Sequence, residues 1–82
     1  AHATLPPGCI SKPHYLYSSE VYFILSGKGI MHINNQIEQV EKGYTIYIPP
    51  KSIQFIENPG NQDLVFLCIV DPAWKKEDEI VL

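Results

Sequence analysis

The sequence predicts an all-β fold, specifically a small jelly-roll β-barrel, from three observations. Short apolar runs recur along the chain, and turn-forming residues interrupt them about every eight to twelve residues. No stretch has its apolar residues at helical spacing, and no segment repeats. Strands this short must close into a sandwich or a barrel to hide their edges, which a jelly-roll barrel achieves.

Length and composition favour a single domain over residues 1–82. The chain has 82 residues, of which 45% are hydrophobic and 18% charged, so it is too apolar to stay disordered. It is also too short to divide into two domains. The sequence begins Ala-His-Ala rather than with Met, so we leave open whether residues precede Ala1 in the native protein.

The charge balance argues against nucleic-acid and membrane partners. Six Lys and Arg against nine Asp and Glu give a net charge of −3, so no positive field attracts a phosphate backbone or an anionic membrane. No window approaches the roughly 20 apolar residues of a membrane span, and the N-terminal segment lacks a secretory pattern. We therefore expect a soluble, cytoplasmic protein.

The two cysteines, Cys9 and Cys68, lie far apart in the sequence and belong to no CxxC pair. This pattern indicates neither a metal site built from several cysteines nor a disulfide framework. We expect both to be buried small apolar residues rather than disulfide partners.

The clearest strand covers residues 20–25. Alternation divides its side chains between two faces, with Glu20, Tyr22 and Ile24 on one and Val21, Phe23 and Leu25 on the other. Both sets are mostly apolar, so we expect this strand to be buried on both sides. Glu20 is then a charged group at an inward position, which indicates a lined cavity.

Further strands follow, and Gly, Pro or Asn residues form the turns between them. They are expected over residues 30–33, 37–40, 44–48, 53–57 and 64–70. Residues 73–78 are expected to form one helical turn or a loop, and residues 79–82 a tail. The aromatic side chains expected mostly in the core are Tyr22, Phe23, Tyr44, Tyr47, Phe55 and Phe66.

Two spaced motifs resemble those of the cupins, a family of small jelly-roll barrels. The first motif runs Gly8, five residues, His14, one residue, Leu16, three residues, Glu20, six residues and Gly27. The second runs Gly43, five residues, Pro49, one residue, Lys51, two residues, Gln54, three residues and Asn58. Fifteen residues, 28–42, separate the motifs, and residues 66–74 also look like the end of a small cupin. The resemblance covers about residues 5–72 and implies a single-domain cupin of the cupin-2 type.

The resemblance implies a metal ion in the barrel mouth, held by three His and one Glu. His14 and Glu20 match two of these ligands, whereas Leu16 stands at the second His position and Gln54 at the third. Lys51 also replaces the usual Gly. We therefore predict a metal site of His14, Glu20 and Gln54 that takes Fe, Mn, Ni or Zn with reduced affinity, because an amide oxygen carries no charge.

The same residues also suit a mouth without metal, either ligand-binding or purely structural. A buried carboxylate needs a partner, and a hydroxyl of Tyr22 or Tyr47 would serve for Glu20. Gln54 can both donate and accept hydrogen bonds, which suits a polar ligand. His32 is expected to be a surface or hydrogen-bonded strand residue rather than a ligand.

The predicted function depends on the residues that line the barrel mouth. The leading interpretation is a small cupin-fold protein that binds a small polar ligand there, with or without a divalent metal. The alternative implied by the family is a metal-dependent isomerase or dioxygenase acting on a small sugar-like or organic substrate. No catalytic residue is predicted, and whether the chain is an enzyme stays open.

We also expect a homodimer, because free strand edges need pairing, with residues 65–70 or the run near Leu5 in the interface.

Overall fold

The computed structural model describes residues 1–71 and 79–81, and its strands form two sheets in which all neighbouring strands are antiparallel. The strands are β1 His2–Leu5, β2 His14–Leu16, β3 Ser19–Ser26, β4 Lys28–Ile33, β5 Gln36–Glu41, β6 Thr45–Ile48, β7 Gln54–Glu57, β8 Leu64–Asp71 and β9 Glu79–Val81. The four-stranded sheet has the order β1-β8-β3-β6, and the five-stranded sheet the order β5-β4-β7-β2-β9. The prediction of an all-β jelly-roll fold is confirmed. Among the described residues, no helix could cross a membrane.

The strands expected between residues 20 and 70 are all present, with ends that differ by one or two residues. The sequence missed β1 and β2, which are only four and three residues long. The expected tail is wrong for residues 79–81, because β9 pairs with β2. The helical turn or loop expected over residues 73–78 lies outside the described residues.

The core forms where the inward faces of the two sheets meet. On β3, Tyr22 and Ile24 are buried as expected from the alternation, and the Tyr22 ring stacks on Phe66 of β8 with 4.9 Å between centroids. The buried core side chains are Tyr22, Ile24, Met31, Val40, Ile48, Ile56, Leu64 and Phe66. Because these residues come from both sheets, their burial holds the sheets face to face.

The expectation that β3 is buried on both sides is wrong for its outward face. Phe23 is 37% exposed there, and its neighbour Val21 is half-buried. Tyr44 and Tyr47 were also expected in the core, yet they are 47% and 60% exposed. Tyr47 pairs with Val21 across the β3–β6 ladder, so both side chains point away from the core.

Both cysteines are free, as expected. The expected burial is wrong for Cys9, which is exposed in the connection between β1 and β2. Cys68 lies on β8 and is partly buried. Its backbone position opposite Tyr22 on β3 places the thiol on the inward face of the sheet.

A close approach between strands at the start of β4 requires glycine. A Cβ atom on Gly29 would lie 2.7 Å from Leu64 Cδ2 and 2.9 Å from the carbonyl oxygen of Glu57. The second of these atoms belongs to the backbone of β7 and cannot rotate away. Any side chain at position 29 must therefore push β7 or β8 from its place.

We expect Gly29→Ala to lower the free energy of unfolding by about 1–3 kcal/mol, the usual cost of forcing extra volume into a packed region. Gly60→Ala is the matched control, since its Cβ would meet only Asn58 Oδ1, at an ordinary 3.5 Å. Urea denaturation of the two variants and the wild type measures the difference. Equal stabilities for Gly29→Ala and Gly60→Ala would contradict the close packing at position 29.

Candidate functional site

Glu20 and Gln54 meet inside the barrel and join its two sheets. Glu20 lies on β3 of the four-stranded sheet, and Gln54 begins β7 of the five-stranded sheet. Gln54 Nε2 donates a hydrogen bond to Glu20 Oε1 at 2.7 Å. Glu20 is only 5% exposed, and Gln54 only 1%. The sequence did not suggest Gln54 as a partner of Glu20, and Tyr47, one of the two suggested hydroxyl partners, points outward.

The second polar atom of the Gln54 amide has no partner among the described residues. Gln54 Oε1 is buried and accepts no hydrogen bond from the part of the chain that the structure describes. A buried acceptor without a donor costs about 1–3 kcal/mol, so such atoms are rare and need an explanation. Reversing the amide would set its oxygen against the carboxylate of Glu20, so the assigned orientation is the favourable one. Gln54 therefore offers one oxygen to a donor or a cation.

His14 faces the same interior from β2. It lies directly opposite Gln54 in the β2–β7 pair, and opposed residues of an antiparallel pair share a face. Leu16, two positions further on β2, is 3% exposed, which confirms that this face is the inward one. His14 Nδ1 lies 3.1 Å from the carbonyl oxygen of Lys12. In the tautomer whose Nδ1–H group donates this hydrogen bond, Nε2 carries no proton, so its lone pair is available to a ligand.

The structure thus brings Glu20 and Gln54 into contact and sets His14 beside Gln54. Leu16, at the second His position of the family motif, contributes an apolar side chain to the interior. No group of three or more His, Cys, Asp or Glu side chains within residues 1–71 and 79–81 is arranged to hold a metal ion. The residues present therefore do not fit the four-ligand metal site of the family resemblance. A weakly held divalent ion on His14, Glu20 and Gln54 stays a prediction.

Lys51 is an exposed residue of the turn before β7, at the position where the resembled motif has glycine. Its φ angle is +63°, in the left-handed region that glycine adopts at no cost. The Lys51 amide donates to the Leu16 carbonyl oxygen at 2.7 Å, which fixes the turn before β7 against β2. Lys51 Nζ lies 6.0 Å from the centroid of the Tyr17 ring, at the limit of a cation–π contact. Position 51 therefore has a backbone conformation that suits glycine although it holds lysine.

Cys68 extends the polar interior, although its sequence position suggested only a buried apolar residue. Burial, and then the Glu20 carboxylate, raises the pKa of the Cys68 thiol to about 11, while the positive amino group of Ala1 and a hydrogen bond with Tyr22 oppose this rise. The thiol is therefore protonated near neutral pH and is a poor nucleophile. The signal that could have found it is alternation along β8, since Leu64 and Phe66 are buried on the same face.

Three surface cavities lie away from the Glu20–Gln54 pair. Their volumes are about 340, 420 and 220 Å³, and none of the three is lined by His14, Glu20 or Gln54. The first two adjoin each other around Lys28 and Glu41, near the far ends of β3 and β7. These three cavities are therefore separate from the candidate site.

His32 lies outside the candidate site, on the outward face of β4. Its Nε2 atom is 2.6 Å from Glu57 Oε2, and its ring stacks on Phe55 with 4.0 Å between centroids. The expectation of a hydrogen-bonded strand residue is confirmed.

The paired sheets and the inward His, Glu and Gln of two motifs define a small barrel of the cupin class. The family model described as Cupin domain, of the cupin-2 type, matches residues 1–70. The chain belongs to this family.

The chain is also similar to individual proteins and to solved structures. An uncharacterised protein of Methanocaldococcus jannaschii is 45% identical over 100% of this chain and 66% of its own length. The oxalate-binding protein of Thermotoga maritima is 34% identical over 85% of this chain and 59% of its own length. The solved structure of a Photorhabdus luminescens protein is 28% identical, with a TM-score of 0.81 over 94% of this chain and 62% of that chain. The chain therefore spans about two thirds or less of the length of these relatives.

We expect Gln54→Leu to lower the free energy of unfolding by about 1–3 kcal/mol, because Glu20 stays buried without this donor. The double variant Glu20→Leu/Gln54→Leu should recover most of the loss, since both polar groups leave together. Urea denaturation of the wild type, both single variants and the double variant measures the coupling. A double variant no more stable than Gln54→Leu would contradict the importance of the pair.

Alkylation rates should distinguish the two thiols. At about pH 8, iodoacetamide should modify exposed Cys9 at least about tenfold faster than Cys68, because attack requires a thiolate and access. In a Cys9→Ser background, the rate at Cys68 should rise with a midpoint near pH 11. Glu20→Gln should move that midpoint to lower pH, since the carboxylate no longer opposes ionisation. An unchanged midpoint would show that Glu20 does not act on Cys68.

Proposed function

We propose that this chain is a ligand-binding cupin whose interior holds a small polar molecule that donates hydrogen bonds, such as a polyol or an amine. The observation that carries the proposal is the buried oxygen of Gln54, which has no donor among the described residues although it is part of a 1% exposed side chain. A guest that donates to this atom would remove the energetic penalty of its burial.

The charge of the interior favours the same class of guest. Glu20 contributes a carboxylate, Gln54 an amide oxygen and His14 a ring nitrogen with a lone pair, and all three accept hydrogen bonds. A hydroxyl or ammonium group can donate to acceptors of this kind. A bare dicarboxylate such as oxalate would instead meet the Glu20 carboxylate at short range, where like charges repel.

A metal-dependent version of the site is the second candidate, and similarity to the oxalate-binding protein of Thermotoga maritima supports it. His14, Glu20 and Gln54 would supply one nitrogen and two kinds of oxygen, a sparse set for a transition metal. A divalent ion there would supply positive charge that attracts carboxylate ligands. The isomerase or dioxygenase alternative depends on that ion. Cytoplasmic location stays a prediction from composition.

Thermal unfolding with different ligands tests the proposal. In the presence of a chelator, a small polyol or primary amine should raise the Tm, because a ligand at about 100 times its Kd stabilises by about 2.7 kcal/mol. Oxalate should not. Gln54→Leu should abolish the shift, whereas Gln39→Leu, which changes an exposed glutamine on β5, should keep it.

Three outcomes would overturn the proposal. One is the absence of any shift with the polyols and amines tested. Another is an equal shift in Gln54→Leu, which would place the guest elsewhere. The third is near-stoichiometric Fe, Mn, Ni or Zn by elemental analysis of protein purified without chelator or metal-affinity resin, together with an oxalate-induced shift that chelator removes. That result would favour the metal-dependent candidate.

A further inference from the structure

Two adjoining cavities lie at the end of the barrel away from Gln54. Gln54 begins β7, whereas the cavities lie beside the start of β4, the end of β5 and the turn that follows β7. Their volumes are about 340 and 420 Å³, within the range of pockets that hold small ligands. Both cavities are lined by Lys28, Glu41 and Gly60, so they meet at these residues. We call the two cavities together the far-end pocket.

The first cavity has the more apolar lining. The apolar side chains that line it are Ile30, Val40, Tyr44 and Pro59. Tyr44 is 47% exposed, so part of its ring is open to contact. Aromatic and proline rings present flat apolar surfaces on which another ring can pack. This cavity therefore suits a flat apolar group.

The second cavity is polar and carries two positive charges. Lys28, at the start of β4, and Lys42, in the turn after β5, both line it. Within the described part of the chain, neither ammonium group forms an ion pair, although Glu41 lies directly opposite Lys28 in the β4–β5 ladder. Two positive charges and one negative leave the far-end pocket with a net charge of +1, whereas the whole chain has −3. A local positive field of this kind attracts a small anion.

The turn between β7 and β8 is a fixed wall of the far-end pocket. Asn58 is 1% exposed, and its Nδ2 atom donates to the carbonyl oxygens of Leu5 at 2.8 Å and Gln62 at 2.7 Å. Asn58 Oδ1 accepts from the amide of Gly60 at 3.1 Å. These bonds hold the turn in one conformation before a ligand arrives, which lowers the entropic cost of binding.

We propose that the far-end pocket binds a small aromatic anion, in which a flat ring is joined to a carboxylate or a phosphate. The ring lies in the first cavity against Tyr44, and the anionic group lies in the second, where Lys28 and Lys42 donate to it. Hydrogen bonds between an ammonium group and an oxyanion are among the stronger ones in proteins. A cation would be repelled by the lysines, and a long polyanion would meet the negative charge of the rest of the chain.

This site is distinct from the Glu20–Gln54 pair, and neither proposal depends on the other. None of His14, Glu20 and Gln54 lines the far-end pocket. Residues 65–70, one of the two segments expected at a dimer interface, do not line it either. The prediction that these residues offer a free edge is wrong, because β8 lies between β1 and β3. The homodimer itself stays a prediction.

Two-dimensional NMR titrations of the amide signals test the proposal with five probes. Benzoate and phenyl phosphate join a ring to an anion, benzyl alcohol has the ring without the charge, and acetate and inorganic phosphate have the charge without the ring. We expect benzoate or phenyl phosphate to move the signals of residues 27–30, 41–44 and 60–62, and the tighter of the two identifies the preferred anion. The other three probes should bind at least about tenfold more weakly. Added salt should weaken the binding of the aromatic anion, because exposed charges are screened.

Matched pairs of lysine variants locate the charged half of the site. Lys28→Gln/Lys42→Gln should weaken binding of the aromatic anion at least about tenfold, because both donors are lost. Lys12→Gln/Lys51→Gln removes the same charge at two exposed lysines that do not line the pocket, and it should leave the affinity unchanged. All four positions are exposed, so both double variants should stay folded, which the same spectra show.

A pair of tyrosine variants tests the ring half. Tyr44→Ala should weaken binding of the aromatic anion about three- to tenfold, the usual worth of a ring contact. Tyr17→Ala, at a 50% exposed tyrosine that does not line the pocket, should not.

Four outcomes would overturn the proposal. One is the absence of moving signals with either aromatic anion at about 10 mM, a concentration that detects even weak binding. Equal affinity for acetate or inorganic phosphate would indicate an adventitious ion only. Equal weakening by the two lysine pairs would indicate attraction to the overall charge. Signals that move at residues 14–20 and 54 instead would place the ligand in the barrel mouth.

Discussion

The hydrogen bond from Gln54 to Glu20 is the constraint on which the interior of this barrel depends. Apolar side chains can pack between two sheets in several ways, but a buried carboxylate must have a donor. The bond therefore fixes β7 against β3 at one position and prevents the sheets from sliding. It also lets the core hold a carboxylate that a purely apolar packing would not tolerate.

Much of the fold follows from the sequence because alternation and turns act locally. Residues 20–25 show a two-residue period, and the glycines and prolines after them mark where each strand ends, so those strands were predicted to within two residues. β1, β2 and β9 were missed, since strands of three or four residues have too few positions to show a period. Their existence depends on partners elsewhere in the chain.

The site was predictable in part, and for a different reason. The spacing of two motifs placed His14, Glu20 and Gln54 on inward positions, and the structure brings Glu20 and Gln54 together. Which atom bonds to which could not be foreseen, because it depends on how two sheets face each other. Exposure of Phe23 and Tyr47 was missed likewise: alternation identifies two faces of a strand, but it does not say whether the outward face is covered.

The pairing of β1 with β8 has a consequence for the time course of folding. These strands lie at opposite ends of the matched region, with Ala3 opposite Phe66, so their ladder closes a very long loop. The entropy of that closure must be overcome before any contact rewards it, which slows β-rich folds to milliseconds or longer. On the ribosome, β1 emerges before β8 and must wait without this partner until β8 has been synthesised, exposed meanwhile to chaperones and to other nascent strands.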